Sequence, residues 1–225
     1  MARRRRLGKK FFKSLLPIFL LLVVAIVVAL AFIVYGVTRP PRGPYLVTPE
    51  AFAEISGPAL KVSDQTWRNH DNTNARGWLL KGAAGGPAVI LSHRYGVDRS
   101  WFFNLGIKIN EATGATILWP DLRGHGLNPT VSWTSFGSIE SEDIQAALDY
   151  VRTLRSAEGK PLVGDKVGLY GIELGAYASL RPAANDPAIR VLVLDSLPRD
   201  PEEMLQAAGR NDLEVDNRPL RFLTS

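Results

Sequence analysis

A glutamate bracketed by glycines is the residue in this sequence best placed to do chemistry. Glu173 stands in the stretch Gly171-Ile172-Glu173-Leu174-Gly175, directly after the apolar run 167–170. Glycines on both sides allow a sharp turn from a strand into a helix, and such a turn exposes its central side chain above a sheet. A carboxylate held there can serve as a nucleophile.

Other polar residues follow apolar runs that predict strands. Because the carboxyl ends of parallel strands meet at one edge of a sheet, residues placed there are expected to lie near Glu173. Asp195 is a weak candidate for a catalytic acid, and its alternative role is to cap the turn before Pro198. The stretches concerned are His93-Arg94-Tyr95-Gly96 after run 87–92, Asp121-Leu122-Arg123-Gly124-His125-Gly126 after run 115–119, and Asp195 after run 190–194.

The composition excludes several classes of function. The 225 residues carry a formal net charge of +5, but seven basic side chains precede residue 14 and leave the remainder slightly acidic, so no nucleic-acid partner is predicted. The chain has no cysteine, which excludes disulfides and thiolate metal sites. The sequence shows no metal-ligand cluster, phosphate-binding glycine loop or dinucleotide motif, so neither a metal nor a cofactor is expected.

Residues 15–37 predict a transmembrane helix. They carry no charged side chain and are long enough to cross about 30 Å of hydrocarbon. A cleaved signal peptide is the alternative, but it would have a shorter apolar region and a small-residue cleavage site. Because the basic tail 1–14 precedes the span and only Arg39 and Arg42 closely follow it, we expect a single-pass protein with a cytoplasmic N-terminus and an extracytoplasmic C-terminal domain.

The residues after the span divide into a linker and a domain. Residues 38–60 contain five prolines and predict a stiff linker, and residues 61–225 predict a folded domain. Runs 61–67 and 77–81 predict a β-hairpin. The strands and helices that follow alternate, which predicts an α/β domain with a mostly parallel sheet and helices on both faces. The predicted strands are 87–92, 115–119, 167–170 and 190–194, and the predicted helices are 101–112, 138–154, 174–184 and 202–208.

With its motifs in this order, the sequence resembles the α/β-hydrolase family, especially its serine-aminopeptidase-like and lysophospholipase-like acyl hydrolases. Run 91–96 stands where a strand leads into the oxyanion loop, run 121–126 matches the D-x-R-G-H-G loop, and run 171–175 occupies the nucleophile elbow. The resemblance covers about residues 60–200 and implies hydrolysis of a small acyl or peptide substrate. It also implies the following roles: oxyanion-hole residues Arg94, Tyr95 and Leu174, and pocket or structural residues His93, Asp121, Arg123 and His125.

Three departures from the family pattern argue against ordinary serine catalysis. Glu173 replaces the serine, and glutamate is one methylene longer than the aspartate nucleophile of the dehalogenase-like relatives. The chain has three histidines, of which His93 and His125 belong to the motif loops and His70 to a surface turn, so none is a good base. Arg94 stands where relatives have a glycine, and we hypothesise that it forms an ion pair with Glu173 that fills the site.

The last predicted strand, 190–194, is as apolar as an inner strand. Relatives place further strands and a helix beside it, so we expect the C-terminal strands to be missing and the domain to be truncated; the alternative is that a partner covers this edge. The sequence leaves two functions open. One is a membrane-anchored hydrolase with impaired or lost activity, and the other is a non-catalytic binding or scaffolding module at the membrane.

Overall fold

A computed structural model describes residues 2–56, 61–127 and 129–212, with side chains described for 15–54, 61–127 and 129–208. The chain divides into two compact units, residues 1–37 and 38–225. Residues 57–60 of the predicted linker and the run after residue 212 lie outside the described residues.

The first unit is one long helix, α1, Ala2–Val37. Its part Leu15–Val37 is long and apolar enough to cross a membrane. Pro17 lies inside the helix.

The second unit is built on a six-stranded sheet in the order β1-β2-β4-β3-β5-β6. β1 pairs antiparallel with β2, as the predicted hairpin requires, and β2 also pairs antiparallel with β4. The remaining pairs, β4 with β3, β3 with β5 and β5 with β6, are parallel. The sheet is therefore mixed and mostly parallel, as predicted. The strands are β1 Val62–Arg68, β2 Asn74–Leu80, β3 Gly86–Ser92, β4 Thr116–Pro120, β5 Val163–Ile172 and β6 Ile189–Asp195.

Helices cover both faces of this sheet. Leu91 packs in the apolar cluster of Phe103 and Ile107, whereas the next residue along β3, Ser92, lies against α5 at Gly175. Because successive strand residues point to opposite faces, α3 and α5 lie on opposite sides. The helices of this unit are α2 Pro49–Ser56, α3 Phe103–Thr113 after the 3₁₀ turn Arg99–Phe102, α4 Glu140–Thr153, α5 Leu174–Asn185 and α6 Pro201–Asp212.

The segment predicted as a linker packs on the sheet instead of standing free. The Tyr45 ring meets Trp78 edge-on with centroids 5.1 Å apart, and Phe52 of α2 meets Phe103 at 5.2 Å. The Tyr45 hydroxyl donates a hydrogen bond to Asp121 Oδ2 at 3.0 Å. The stiff-spacer interpretation is wrong for this part of the chain because its aromatic side chains bury apolar surface, which outweighs the extended preference of its prolines.

Two further elements differ from the sequence-based prediction. β5 begins at Val163 rather than at 167, because residues 163–166 continue the strand through a bulge in its pairing with β3, although Asp165 and Lys166 are polar and exposed. α6 extends beyond the predicted residue 208 to Asp212. Among the described residues β6 is the last strand on its side of the sheet, and its apolar Val191 and Val193 are 58% and 40% exposed.

Candidate functional site

The turn between β5 and α5 holds Glu173 at its tip in a strained backbone conformation. Glu173 has φ 45° and ψ −105°, a region that side-chain-bearing residues rarely adopt. A Cβ at Gly171 would lie 2.3 Å from the carbonyl carbon of Gly175, and a Cβ at Gly175 would lie 2.1 Å from the carbonyl oxygen of Ser92. Only glycine fits at either position, so the two glycines allow the sharp turn that the sequence predicts.

Backbone hydrogen bonds fix this turn to both neighbouring strand ends. The Gly175 N–H donates to the His93 carbonyl at 3.1 Å, and the Glu173 N–H donates to the Asp195 carbonyl at 3.0 Å. Three of the predicted stretches therefore meet at the carboxyl edge of the parallel strands. The position of the tip is set by main-chain contacts and not by the glutamate side chain.

Arg94 and Glu173 do not form the hypothesised ion pair. The Arg94 guanidinium lies over the ring of Trp101, 5.0 Å from its centroid. Within the described part of the chain, no cationic side chain lies within ion-pair distance of the Glu173 carboxylate. A partly exposed indole is a strong competitor for an arginine because the planar cation stacks on it without being desolvated from every side.

His93 is held entirely by main-chain atoms. Its Nδ1–H donates to the Arg94 carbonyl at 2.8 Å, and its Nε2 accepts from the Leu122 N–H at 3.0 Å. The side chain is completely buried, and burial lowers its pKa. Both ring nitrogens are occupied, so His93 has no lone pair with which to take a proton from a nucleophile.

The other two histidines are also unsuited to act as the base for the elbow. The Nδ1–H of His125 donates to the Arg123 carbonyl at 2.9 Å, and burial, helped by the nearby His93, lowers the pKa of His125 to about 3. His70 lies at the hairpin turn, where its Nε2 bonds to Asp149 at 3.0 Å. Neither imidazole is bonded to Glu173 in the described residues, and His125 would be neutral at any physiological pH.

Asp121 and Arg123 have structural partners of their own. Asp121 accepts from the Arg99 backbone N–H at 3.0 Å as well as from Tyr45, and burial together with the Asp121 charge raises the pKa of Tyr45 to about 12. Arg123 forms a two-point ion pair with Asp143 of α4, with bonds of 2.7 and 2.5 Å. These contacts hold the loop after β4 against α4 and against the segment that contains Tyr45. They indicate that Asp121 and Arg123 stabilise the structure.

Asp195 lies beside the elbow but is not arranged as a catalytic acid. Its carboxylate accepts from the Tyr170 hydroxyl at 3.3 Å and from the Ser196 hydroxyl at 2.9 Å, and it is exposed to solvent. The acid of a catalytic triad orients a histidine by a hydrogen bond, and none of these contacts involves one.

The elbow opens into a cavity of about 340 Å³. Residues that the sequence analysis did not assign to a site supply most of its wall: the loop after β6 and one face of α6 close it opposite the turn. The only signal for them in the sequence was their position directly after a strand end. Residues that line the cavity include Tyr95, Glu173, Leu197, Pro198, Glu203 and Met204.

Solved structures with this arrangement of strands and helices include an esterase, Pf2001, from Pyrococcus furiosus. It matches with a TM-score of 0.60 and 22% sequence identity over 82% of this chain and 65% of that one. The α/β hydrolase GrgF from Penicillium sp. sh18 matches with a TM-score of 0.53 and 22% identity over 74% of this chain and 56% of the other. The chain has the α/β-hydrolase fold.

The chain is also similar in sequence to a known enzyme. Over 125 residues the chain is 28% identical to the thiohydrolase apmlB of Arthrinium phaeospermum. The aligned region covers 55% of this chain and 39% of that protein. The chain thus spans less than two thirds of the length of each of these proteins. No protein-family model matches the chain.

In the α/β-hydrolase fold, one donor to a developing oxyanion is the N–H of the residue after the elbow tip. Leu174 occupies that position here. It is the first residue of α5, so its N–H has no carbonyl one turn earlier to bond within the helix. Tyr95, predicted on the facing loop, stacks on Phe136 with ring centroids 5.6 Å apart.

Proposed function

We propose that this chain is a membrane-anchored protein of the acyl-hydrolase type that has lost serine-type hydrolysis and keeps its elbow cavity as a binding site. The observation that carries the proposal is Glu173 at the tip of an intact elbow. The turn retains the shape that presents a nucleophile, but it presents a carboxylate.

Electrostatics oppose acyl transfer at this tip. Hydrolysis of an ester or thioester passes through an oxyanion, and a carboxylate about 4 Å from that charge would repel it by about 4 kcal/mol at an effective dielectric constant of about 20. That cost corresponds to a rate reduction of about a thousandfold. The site also lacks a suitable base. Both ring nitrogens of His93 are already hydrogen-bonded, and the low pKa of His125 makes it a weak proton acceptor.

The names of the similar proteins support the hydrolase ancestry and leave this chain's own activity open. Esterase and thiohydrolase activities belong to those proteins. The binding role in this proposal is supported by one observation: the cavity beside Glu173 is open, and no side chain of the described residues fills it with an ion pair.

The test is hydrolysis of a short-chain aryl ester and a thioester by the full chain in detergent, beside Glu173→Ser and Glu173→Ala variants. We expect no hydrolysis above background by any of the three proteins. Activity in the parent that disappears in Glu173→Ala would refute the proposal and establish a carboxylate nucleophile. Activity gained only in Glu173→Ser would show that a base is available and that only the nucleophile was lost.

The membrane part of the proposal is that Leu15–Val37 anchors the chain with residues 1–14 in the cytoplasm. Because the chain has no cysteine, single cysteines can report its topology. A membrane-impermeant maleimide added to intact cells should label a Glu111→Cys variant and should not label Ala2→Cys until the cells are lysed. The reverse pattern would invert the orientation, and labelling of neither variant before lysis would place the domain inside the cell.

A further inference from the structure

The elbow cavity combines a carboxylate that lacks a partner with apolar walls. Glu173 is half-buried, and no hydrogen bond or ion pair to its side-chain oxygens occurs among the described residues. The second carboxylate of the cavity, Glu203, is already engaged: it accepts from the Arg199 N–H at 2.8 Å and lies 3.7 Å from the Arg199 guanidinium. Glu173 is therefore the anionic group left for a ligand.

The walls around this carboxylate determine what kind of ligand it can take. Leu197, Pro198 and Met204 are apolar, and the largely buried Tyr95 adds an aromatic ring. A carboxylate beside apolar groups gains most from a cation that brings its own hydrogen-bond donors. Aromatic rings also attract cations. A volume of about 340 Å³ accommodates a small molecule.

The charged residues near the cavity also favour a cationic ligand. Residues 196–208, which close the cavity, carry Asp200, Glu202 and Glu203 against one cation, Arg199, and Asp195 stands at the end of β6. An anion approaching Glu173 would meet a net negative potential, whereas a cation would be attracted into it. Arg94 follows His93, whose carbonyl bonds to the elbow at Gly175, but its guanidinium is held on Trp101 instead.

From this geometry we infer that the elbow cavity binds an organic ammonium ion that carries a short apolar chain. Its ammonium group bonds to the Glu173 carboxylate, and its chain lies against Leu197 and Met204. The inference rests on the proposed function, because it takes the elbow as a binding site whose carboxylate is not consumed in a reaction. It names the ligand class of that same site.

The probe is butylammonium chloride, titrated calorimetrically into the full chain in an uncharged detergent. We expect saturable binding to the parent protein, and binding weaker by at least about tenfold for Glu173→Gln, because that variant keeps the shape of the side chain and removes the charge. Glu202→Gln is the matched control: it removes an equal charge from the exposed side of α6. It should change the affinity by less than about twofold.

Two ligands of the same chain length test whether the positive charge of butylammonium is required for binding. 1-Butanol and butyrate should not bind in the concentration range at which butylammonium saturates the site. Equal binding of butylammonium to parent and Glu173→Gln, comparable binding of butyrate, or absence of butylammonium binding would each overturn the inference. Competition by a lipid with an ethanolamine headgroup, added in mixed micelles, would identify a lipid amine as the source; its failure to compete would identify a soluble amine.

The same protein preparations are assayed for ester hydrolysis. Hydrolysis by the parent refutes the proposed function, whatever the amine titration shows. Absence of both hydrolysis and amine binding overturns only the ammonium inference, so the two failures are distinguishable.

Discussion

Replacing Glu173 by glycine is expected to stabilise the protein relative to replacing it by alanine, the reverse of what glycine normally does. The cause is the backbone at the elbow tip, where φ is 45° and ψ is −105°. For a residue with a Cβ this combination is sterically unfavourable. Glycine has no Cβ and adopts it as easily as its mirror image, near −45° and 105°, which lies close to extended backbone.

The size of the effect follows from two opposing quantities. A residue held in such a region stores about 1–3 kcal/mol of strain, which glycine relieves and alanine keeps. Glycine elsewhere costs about 0.5–1 kcal/mol relative to alanine, since the unfolded chain gains freedom. We therefore expect the Glu173→Gly variant to exceed Glu173→Ala in unfolding free energy by about 0.5–2 kcal/mol, or a few degrees in Tm.

The assay is urea unfolding of the full chain in detergent, followed by tryptophan fluorescence. Lys108, an exposed residue in the middle of α3 with ordinary helical backbone, supplies the control pair. There the alanine variant should be more stable than the glycine variant by about 1 kcal/mol. If alanine is the more stable substitution at both positions, the elbow is unstrained and the reasoning from its dihedral angles is refuted.

Two further predictions concern the frame around the elbow. Gly171→Ala should cost about 3 kcal/mol or more in unfolding free energy, because its Cβ meets main-chain atoms at 2.3 Å. The same change at Gly168, where a Cβ would meet its nearest neighbour at 3.6 Å, should cost less than about 1 kcal/mol; equal urea midpoints for the two variants would contradict this. Stability should also fall on acidification. His125 has a pKa near 3 in the folded state and 6.5 as the ordinary value, so the unfolded chain binds more protons between these limits. From pH 7 to pH 5 this histidine alone should remove about 2 kcal/mol. The His125→Asn variant, which keeps a donor for the Arg123 carbonyl, should lose correspondingly less over the same interval, and parallel pH profiles of variant and parent would exclude the buried histidine as the cause.

Much of the fold was predictable because the strands and helices of the second unit follow strong local patterns. Pro87–Ser92 and Ala115–Trp119 are apolar runs of strand length, and Gly114 ends α3 with a φ of 68°, as a C-terminal glycine is expected to do. The sharp turn at Glu173 was likewise predictable, since its two glycines leave few alternatives.

The rest depended on contacts between distant parts of the chain. The prolines of the segment before β1 suggested a free spacer, whereas the packing of Tyr45 and Phe52 is decided by aromatic partners that the local sequence does not reveal. The position of Arg94 was missed for the same reason: two changed residues in neighbouring loops suggested each other as partners, and the structure offered Trp101 instead. The wall formed by α6 was missed because helical periodicity says nothing about which cavity a helix closes.

The elbow is held in place by glycine packing and by main-chain hydrogen bonds from Gly175 and Glu173, and the tip side chain takes no part in them. Residues with an unbranched Cβ meet similar backbone strain at position 173, so exchanging one of them for another alters folding little, whereas β-branched residues meet more. At this position the side chain can therefore change without a large effect on the stability of the fold. A laboratory library randomised at this codon should therefore sample new side chains, most of them on a scaffold that still folds.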